Sequence, residues 1–341
     1  MVILGLETSC DDTGVGIVGE GRVIRAHSVA SQLAAHRPYG GVVPEIAARA
    51  HLDVIDDVIA QALQESGLSF NDLSGIAATT GPGLIGGVMV GAMMGKAIAA
   101  VCKLPFISIN HLEAHALTAR LTDNVEFPYL LLLASGGHCQ LLLVRGVGDY
   151  RLLGRTIDDA VGECFDKCAK MLGLGYPGGP LVEQAAQKGK TTAFDLPRPM
   201  MGRAGCDFSF SGLKTAVRTL VEGQELTPEF VADMAASLQM AIADSIADRA
   251  RHAFALLKSE GQNVTAFVAA GGVASNQALR ARLTTIAAEN NVGFAAPPPK
   301  FCTDNGVMVA WAGYERLRLG LTDGLDAAAR PRWPLEEIRR L

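Results

Sequence analysis

The chain has 341 residues, a formal net charge of −5 and an apolar fraction of 49%, and only 19% of its residues are charged. This composition excludes a disordered protein, and the length predicts about two domains, each with its own core. A mildly acidic total is not typical of nucleic-acid-binding proteins, which usually carry a basic excess.

The first 125 residues alternate between strand and helix patterns. Strands are predicted at VILGLETS, GVGIVGEG and VIRAHSVASQ, with the turn SCDDT between the first two. An amphipathic helix begins near Pro44, and GIAATT is a further strand. Residues 83–102 approach the length of a membrane span, but their five glycines and Lys96 favour a buried helix of a soluble protein. A strand, LPFISIN, and a short helix, HLEAHALTARL, complete this part.

The pattern restarts after residue 125. PYLLLLASGGHCQLLLVRG reads as strand, glycine turn and strand, and YRLLGRTI is a third strand before the helix DDAVGECFDKCAKMLGLG. Residues 177–211 are rich in Gly, Pro and Arg and predict a long functional loop around one short helix. Long helices, the buried strand TAFVAAGGV, another helix and the strand GFAAP follow, and DNGVMVAWAGYERLRLG is the last helix.

Two related hairpins therefore organise the chain, ILGLETSCDDTGVGIV and LLLLASGGHCQLLLV. They predict two α/β lobes with mixed sheets covered by helices, their turns facing each other across a cleft. We expect the first lobe to span residues 1–125, completed by residues 306–341, and the second to span residues 126–305.

The N-terminus and the cysteines indicate a cytoplasmic protein. The segment MVILGLETSCDD lacks a basic n-region, and Glu7 interrupts its apolar run, so no signal peptide is expected. The seven cysteines form no C-x-x-C pair, which suits reduced thiols rather than a disulfide framework. Cys164 and Cys168 lie one helical turn apart, and we expect core packing there rather than a metal site.

Glycine accounts for 38 residues, so either many turns are tight or backbone approaches something closely. The turn SGGH at residues 135–138 can form an anion-binding nest or an ordinary hairpin turn. AGGVASN at residues 270–276 leads from a strand into a helix and can bind a phosphate through backbone N–H groups, or it is a plain connection. Asp11 suits metal or water handling near a phosphate, or local turn hydrogen bonding. The absence of G-x-x-x-x-G-K-[ST] excludes an ordinary P-loop enzyme.

His111 and His115 carry the clearest chemical signal. Four residues apart on a helix, they differ by about 40° and can bind one metal ion, or they are two structural histidines. A zinc protease motif, H-E-x-x-H, has its Glu beside the first His, whereas Glu113 is two residues on and points away from the ligand face. Asp304, before the last helix, is a candidate third ligand, and such a set suits Fe(II), with Zn or Mn as alternatives.

Eleven ordered segments resemble the TsaD (Gcp) family of bacterial tRNA N6-adenosine threonylcarbamoyltransferases over essentially the whole chain. They are ETSCDDTG, YGGVVPE, GPGLIGG, HLEAH, SGGH, GECFDKCAK, YPGGP, DFSFSGLKTA, AGGVASN, FCTDNG and PRWPL. The resemblance implies a two-lobed actin/hexokinase/Hsp70-like fold with a central nucleotide cleft. It also implies a cytoplasmic acyltransferase, which moves the threonylcarbamoyl group from threonylcarbamoyl-adenylate to N6 of the adenosine 3′ of the anticodon and releases AMP. The acceptor tRNAs read codons that begin with A.

The resemblance also implies site residues and partners. The metal ligands, with Fe2+ as the usual metal, correspond to His111, His115 and Asp304. The substrate loop corresponds to Leu133, Ala134, Ser135, Gly136 and Gly137. Further nucleotide contacts correspond to Asp166, Gly179, Glu183 and Asn276, and the candidate catalytic residue is Asp11. Besides tRNA, the implied partners are a TsaB-like paralogue and a TsaE-like ATPase, with no membrane.

Departures and alternatives remain at this stage. Asp12 stands where the family has Glu, and Cys164 where Ala is commoner, which leaves local tuning open. The alternative functions are a metalloprotease, an ATP-dependent kinase or small-molecule carbamoyltransferase of the same superfamily, and a non-catalytic scaffold. The basic side chains form either a local positive track for tRNA or a solvated surface; they are Arg198, Arg203, Lys214, Arg218, Arg330 and Arg332.

Overall fold

The computed structural model describes residues 1–338 and divides the chain into two compact α/β units. Unit 1 comprises Met1–Asn124, Gly146–Tyr150 and the segment from Thr303 onward, and unit 2 comprises Val125–Arg145 and Arg151–Cys302. The turn Gly146–Tyr150 joins unit 1 through hydrogen bonds to Glu113. No disulfide joins any of the described cysteines, and Cys164 and Cys168 are buried in the core of unit 2, as predicted.

Unit 1 contains five strands and five helices among the described residues. The strands are β1 (Val2–Glu7), β2 (Asp12–Gly19), β3 (Val23–Ser31), β4 (Gly75–Gly81) and β5 (Phe106–Asn110). The helices are α1 (Leu33–His36), α2 (Pro44–Ser66), α3 (Ile85–Cys102), α4 (His111–Thr122) and α11 (Gly306–Arg318), of which α11 comes last in the chain. The sheet order is β3-β2-β1-β4-β5. β1 runs antiparallel to β2 and parallel to β4, so the sheet is mixed.

Unit 2 repeats this arrangement with its own strands and helices. The strands are β6 (Tyr129–Ala134), β7 (Cys139–Gly146), β8 (Asp149–Arg155), β9 (Ala266–Ala270) and β10 (Gly293–Ala295). The helices are α5 (Val161–Met171), α6 (Gly178–Ala186), α7 (Ser211–Val221), α8 (Pro228–Ser259), α9 (Gln277–Glu289) and α10 (Pro299–Cys302). The sheet order is β10-β9-β6-β7-β8, with β6 antiparallel to β7 and parallel to β9.

The two sheets have the same connectivity. Across each sheet, the strands numbered by their order in the chain within that unit follow one another as fifth, fourth, first, second and third. In unit 1 this order runs from β5 to β3, and in unit 2 from β10 to β8. Each unit begins with an antiparallel hairpin and adds later strands parallel to the first of that pair. The internal repeat that the two hairpin sequences predict is confirmed.

Helix α11 packs backbone to backbone on the first hairpin. A Cβ atom added to Gly5, Gly16 or Gly306 would lie under 3.0 Å from backbone atoms of the facing element. Only glycine permits such a close approach of a helix to a sheet. Three of the many glycines therefore serve to bring the start of α11, and with it Asp304, against β1 and β2.

Helix α3 is buried on one face and exposed on the other. Its buried face carries Gly87, Gly91 and Gly95, and an added Cβ at the first two would meet Thr8 at under 3.0 Å. The opposite face exposes Met89, Met93 and Val101, the last at 82%. The helix predicted to be buried is therefore buried along its glycine face only. By length and composition alone, α3 and α8 could each cross a membrane. In α8, however, 67% of the most apolar 18-residue stretch is buried inside the protein.

Candidate functional site

The first turn of α4 carries the two predicted histidine ligands. β5 ends at Asn110, whose side-chain Oδ1 accepts hydrogen bonds from the backbone N–H groups of Leu112 (2.8 Å) and Glu113 (3.3 Å). This is an N-cap, and it begins the helix at His111. His111 and His115 are both buried, so the helix presents their rings to the protein interior rather than to water.

The imidazoles of His111 and His115 converge on the carboxylate of Asp304. Oδ1 of Asp304 lies 3.1 Å from Nε2 of His115 and 3.5 Å from Nε2 of His111. One ligand atom from each residue lies within 4.8 Å of the others. The structure therefore brings Asp304 to the histidine pair, although it lies 189 residues beyond His115 in the chain.

These residues suit a divalent cation. Atoms that share one ion at bonds of about 2.0–2.2 Å lie about 3–3.5 Å apart, which is the spacing between Asp304 and each imidazole. The donor set of two imidazoles and one carboxylate is typical of Fe(II) sites with open positions and is also used by Zn and Mn. Among the described residues, His111, His115 and Asp304 form the one cluster of at least three His, Cys, Asp or Glu side chains that lie close enough together to hold a metal ion.

Glu7 stands behind His111 and was not a candidate on sequence grounds. Its Oε2 lies 3.1 Å from Nδ1 of His111, on the ring edge opposite to Asp304. Burial lowers the pKa of His111, but the negative charges of Asp304 and Glu7 outweigh burial and raise that pKa to about 9. Burial raises the pKa of Glu7, but the charge of His111 together with the hydrogen bonds from His111 and Ser9 outweighs burial, so that pKa lies below its usual value. The sequence feature that could have indicated Glu7 is a single carboxylate at the end of the otherwise apolar strand β1.

Glu113 faces away from the histidine cluster, as the helical geometry predicted. Its Oε1 accepts hydrogen bonds from the backbone N–H of Gly148 (3.0 Å) and the hydroxyl of Tyr150 (2.9 Å). Its Oε2 pairs with Nη1 of Arg316 at 3.1 Å. A carboxylate so engaged has no geometry for activating water at His111 and His115, which argues against a metalloprotease.

Asp11 and Asp12 lie at the turn between β1 and β2, near the cation cluster. Burial is the main cause of the raised pKa of both Cys10 and Asp12, and the negative charge of Asp304 adds to it. The turn is held from two helices: Leu84 N–H donates to the carbonyl of Ser9 (2.8 Å), and His51 Nε2 lies 3.1 Å from the carbonyl of Cys10. Since a carbonyl can only accept, His51 donates there, and the turn that carries Asp11 is fixed in place.

Replacing Asp12 with Asn should stabilise the protein at neutral pH. Burial, reinforced by the charge of Asp11, raises the pKa of Asp12 from 3.8 to about 6. The folded state therefore disfavours the charged carboxylate, so stability falls as pH rises from about 4 to about 6. We expect Asp12→Asn to raise the free energy of unfolding by about 2 kcal/mol at pH 7.5 and to leave it nearly unchanged at pH 4.

Denaturant unfolding at both pH values measures this effect. Asp72→Asn is the matched control, because hydrogen bonds from Ser69 lower the pKa of Asp72 and the sign of its pH dependence is reversed. An equal change for Asp12→Asn at the two pH values would contradict the burial account.

In unit 2, the glycine turn at residues 135–137 packs at the ends of β6 and β9. An added Cβ at Gly271 would lie under 3.0 Å from the carbonyl of Ala134, and one at Gly162 would lie equally close to Ser135 and Gly136. Gly136 and Gly137 themselves have open space where a Cβ would point. The turn thus lies beside the start of α5, with room above it for a ligand to approach the backbone.

The remaining predicted nucleotide contacts lie at the N-termini of helices α6 and α9 of unit 2. Oδ1 of Asp166 accepts from the N–H of Gly178 (2.7 Å), at the start of α6, and Gly179 next to it faces open space. Oε1 of Glu183 accepts from the N–H of Gln277 (2.7 Å), and Oδ1 of Asn276 caps the same helix, α9, at Leu279 N–H (2.9 Å). Helix N-termini with N–H groups near open space favour anions. Both carboxylates already serve as helix caps.

The predicted basic track is weaker in the structure than in the sequence. Arg198 pairs with Asp244 at 3.4 Å and Lys214 pairs with Asp159 at 2.8 Å, so each charge is partly compensated. Both carboxylates are shared with a second basic side chain. Arg330 stacks over the ring of Trp333 at 4.9 Å. Arg203 and Arg218 are exposed on unit 2 and are the better candidates for contacts with phosphates.

Solved structures with this architecture share the fold. HypF of T. kodakarensis aligns with a TM-score of 0.62 at 17% identity, over 94% of this chain and 48% of that one. Component A of the (R)-2-hydroxyglutaryl-CoA dehydratase of Acidaminococcus fermentans aligns with a TM-score of 0.53 at 16% identity, over 94% of this chain and 99% of that one. These likenesses, with the repeated mixed sheets, confirm the predicted actin/hexokinase/Hsp70-like α/β fold class.

Sequence comparison is more specific. Residues 23–311 match the profile of the family described as TsaD, tRNA N6-adenosine threonylcarbamoyltransferase. A protein of that name from Paramagnetospirillum magneticum is 58% identical over 342 aligned residues, which cover 100% of this chain and 99% of the relative. With a profile match over most of the sequence and a full-length relative at this identity, the chain belongs to the TsaD family and is an enzyme that transfers threonylcarbamoyl groups to tRNA.

Proposed function

We propose that the enzyme takes threonylcarbamoyl-adenylate as donor and modifies the adenosine 3′ of the anticodon in tRNAs that read codons beginning with A. The observation that carries the proposal is the convergence of His111, His115 and Asp304 in a chain of this family. In the reaction, N6 of the adenosine attacks the carbamoyl carbon and loses a proton. The bond from that carbon to the phosphate oxygen breaks, and AMP leaves with the electron pair.

Unit 1 provides the proposed cation site. His111, His115 and Asp304 would bind one divalent cation per chain, Fe2+ in the first place and Zn2+ or Mn2+ as alternatives. When bound, the ion supplies Lewis acidity toward phosphate or carbamoyl oxygens. Asp11, on the turn fixed by His51 and α3, is the proposed catalytic carboxylate near the phosphate.

Unit 2 provides the proposed nucleotide-binding turns, and their backbone does most of the binding. Within the loop at residues 133–137, the N–H groups of Gly136 and Gly137 would donate to the donor's acyl-phosphate and stabilise the charge that develops on the leaving group. The N–H of Ser135 already donates to the carbonyl of His138 (2.8 Å). Gly179, with open space above it, lets a nucleotide approach the N-terminus of α6. Asp166 and Glu183 would share their carboxylate oxygens between the helix caps and the ribose hydroxyls, and Asn276 would contact the adenine side. An aromatic amine is a weak nucleophile, so positioning counts as much as proton transfer.

Supplying the donor directly tests the substrate assignment. Purified enzyme, its partner proteins and threonylcarbamoyl-adenylate are mixed with tRNA, and AMP and modified nucleoside are both quantified. We expect one AMP for each threonylcarbamoyladenosine formed, and no modification when guanosine replaces the acceptor adenosine. Modification that proceeds equally with the guanosine tRNA, or that needs no adenylate donor, would contradict the proposal.

The proposed protein partners are a TsaB-like paralogue and a TsaE-like ATPase, in the cytoplasm. Unit 1 offers an apolar surface for the first of them: Met89, Met93 and Val101 on α3, and Leu52 on the adjacent helix α2 at 63% exposure. Helices α2 and α3 contact each other at Ala48 and Gly86, and Met89 and Met93, about one helical turn apart, share one face of α3. Exposed contiguous apolar side chains are typical of a protein interface.

Replacing Met93 with Glu should disrupt this interface. A charge at the centre of an apolar contact must be desolvated without a partner, and we expect the dissociation constant for the TsaB-like paralogue to rise about 100-fold. Calorimetry with the purified paralogue measures it. Leu325→Glu is the matched control, since Leu325 is also exposed on unit 1 but lies in the C-terminal segment. Equal binding by wild type and Met93→Glu would place the interface elsewhere.

A further inference from the structure

Glu7 is a fully buried carboxylate for which the proposed reaction gives no role. Its side chain has 0% exposure at the end of β1. Oε1 accepts a hydrogen bond from the backbone N–H of Ser9 (2.6 Å), and Oε2 accepts one from the hydroxyl of Thr79 (2.6 Å). Burying an ionised carboxylate costs several kcal/mol unless charge and hydrogen bonds compensate it. Its position therefore requires a partner, and the remaining neighbour is His111.

The imidazole of His111 lies between two carboxylates, one at each ring nitrogen. Nδ1 lies 3.1 Å from Oε2 of Glu7 and 3.1 Å from the hydroxyl oxygen of Ser9, while Nε2 lies 3.5 Å from Asp304. A neutral imidazole carries one proton, and an ionised carboxylate can only accept. With Glu7 ionised, the proton of the neutral ring is on Nδ1, and the lone pair of Nε2 points toward Asp304 and His115.

His115 differs from His111 in this respect. Its Nε2 also faces Asp304, but its Nδ1 is buried with no hydrogen-bond partner among the described residues. The two rings are perpendicular, at 88°, with centroids 4.7 Å apart. At Nδ1 the ring of His115 therefore has only packing behind it, whereas a buried carboxylate faces Nδ1 of His111.

We propose that Glu7 is a positioning residue that fixes His111 as the Nδ1–H tautomer and presents Nε2 as a cation ligand. This rests on the proposed cation site and adds the residue that prepares one of its ligands. Carboxylates behind metal-binding imidazoles set the tautomer and raise the basicity of the ligand atom, and their loss typically weakens metal binding 10- to 100-fold. Because Glu7 also accepts from Ser9 N–H, the same carboxylate ties the ligand to the turn that carries Asp11.

Cobalt binding measures the effect without reference to activity. Metal-free wild type, Glu7→Gln and Thr79→Val are titrated with Co2+ against a chromophoric chelator, and the visible absorption of the bound ion is recorded. We expect the dissociation constant to rise 10- to 100-fold in Glu7→Gln. Thr79→Val removes a different hydrogen bond of the same buried carboxylate and leaves the His111 contact in place, so its dissociation constant should stay within about twofold of wild type.

A nitrogen-15 spectrum of the Zn2+-loaded wild type tests the tautomer with no variant at all, and so stands even if Glu7→Gln does not fold. We expect the spectrum to show a protonated Nδ1 and a metal-bound Nε2 at His111. Metal on Nδ1, or equal cobalt affinities of wild type and Glu7→Gln, would overturn it while leaving the cation site intact. Failure of the wild type to bind Co2+ or Zn2+ would instead contradict the proposed cation site and, with it, this inference.

Discussion

Replacing both His111 and His115 with Ala lowers the rate of threonylcarbamoyl transfer by at least about 1,000-fold, with the fold retained. The two side chains are the nitrogen donors of the proposed cation site, and their Nε2 atoms lie 3.5 and 3.1 Å from Asp304. Without them a single carboxylate remains, which binds a divalent transition ion weakly. A bound Lewis acid contributes several kcal/mol of transition-state stabilisation, and this contribution would be lost.

Initial rates of transfer to tRNA under saturating donor measure the loss, and circular dichroism at the assay temperature checks the fold. The control is His252→Ala in unit 2, where the imidazole is half-exposed and contacts the carbonyl of Asp248 at 2.9 Å, away from any proposed ligand. We expect the control to transfer at close to the wild-type rate. Near-normal transfer by the double variant would contradict a catalytic role for a cation bound at this site.

Replacing Gly306 with Ala lowers the free energy of unfolding by about 3 kcal/mol or more. Two effects oppose each other at this position. Alanine is a better helix former than glycine by about 1 kcal/mol, which on its own would stabilise α11. Against this, the new Cβ would lie under 3.0 Å from backbone atoms of Val15 and Gly16, where no flexible side chain can move aside. The backbone clash is larger, so the helix must shift.

The matched control is Gly212→Ala in α7. Gly212 also lies in the first turn of a helix, but its added Cβ meets nothing within 4 Å. We expect this variant to be neutral or slightly stabilised in guanidinium unfolding. Because Asp304 lies two residues before Gly306, the displaced helix should also weaken cobalt binding. If both alanine variants gave the same small stabilisation, the close packing of α11 on the hairpin would be contradicted.

Local patterns were sufficient for the strands, the repeat and the histidine pair. The buried strand runs, the two hairpins and the four-residue spacing of His111 and His115 each have a short-range signature. The two α/β units with mixed sheets and the direction of Glu113 followed from such patterns and are confirmed, whereas the actin/hexokinase/Hsp70-like class followed from the family resemblance. Asp304 was reachable as a candidate because it precedes a helix, although its closeness to the histidines depends on tertiary structure.

Other features depend on contacts between distant segments, which spacing alone does not encode. Glu7 contacts Thr79 and His111, residues that lie 72 and 104 positions further along the chain. The helical spacing indicated only that Glu113 points away from the ligand face, whereas its burial against the turn at Gly148 and the side chain of Arg316 depends on tertiary structure. The glycine excess was attributed to turns and to the α3 face, whereas part of it brings α11 onto the first hairpin.

The net charge of −5 argued against a tRNA partner, but membership of the TsaD family is stronger evidence and indicates that tRNA is the substrate. The structure explains in part why charge was a poor guide. Two of the basic residues named from the sequence are paired with carboxylates, Arg198 with Asp244 at 3.4 Å and Lys214 with Asp159 at 2.8 Å. We therefore expect affinity for tRNA to depend on a few uncompensated side chains and on partner subunits rather than on net charge.

The most direct test of the account is reconstitution followed by nucleoside mass spectrometry. The chain is combined with tRNA, threonine, bicarbonate, ATP, the enzyme that makes the adenylate and the partner proteins, and the tRNA is then digested to nucleosides. The account predicts threonylcarbamoyladenosine with the wild type and none with the variant lacking both His111 and His115. Unmodified adenosine with the wild type, in a mixture where a known relative produces the modified nucleoside, would contradict it.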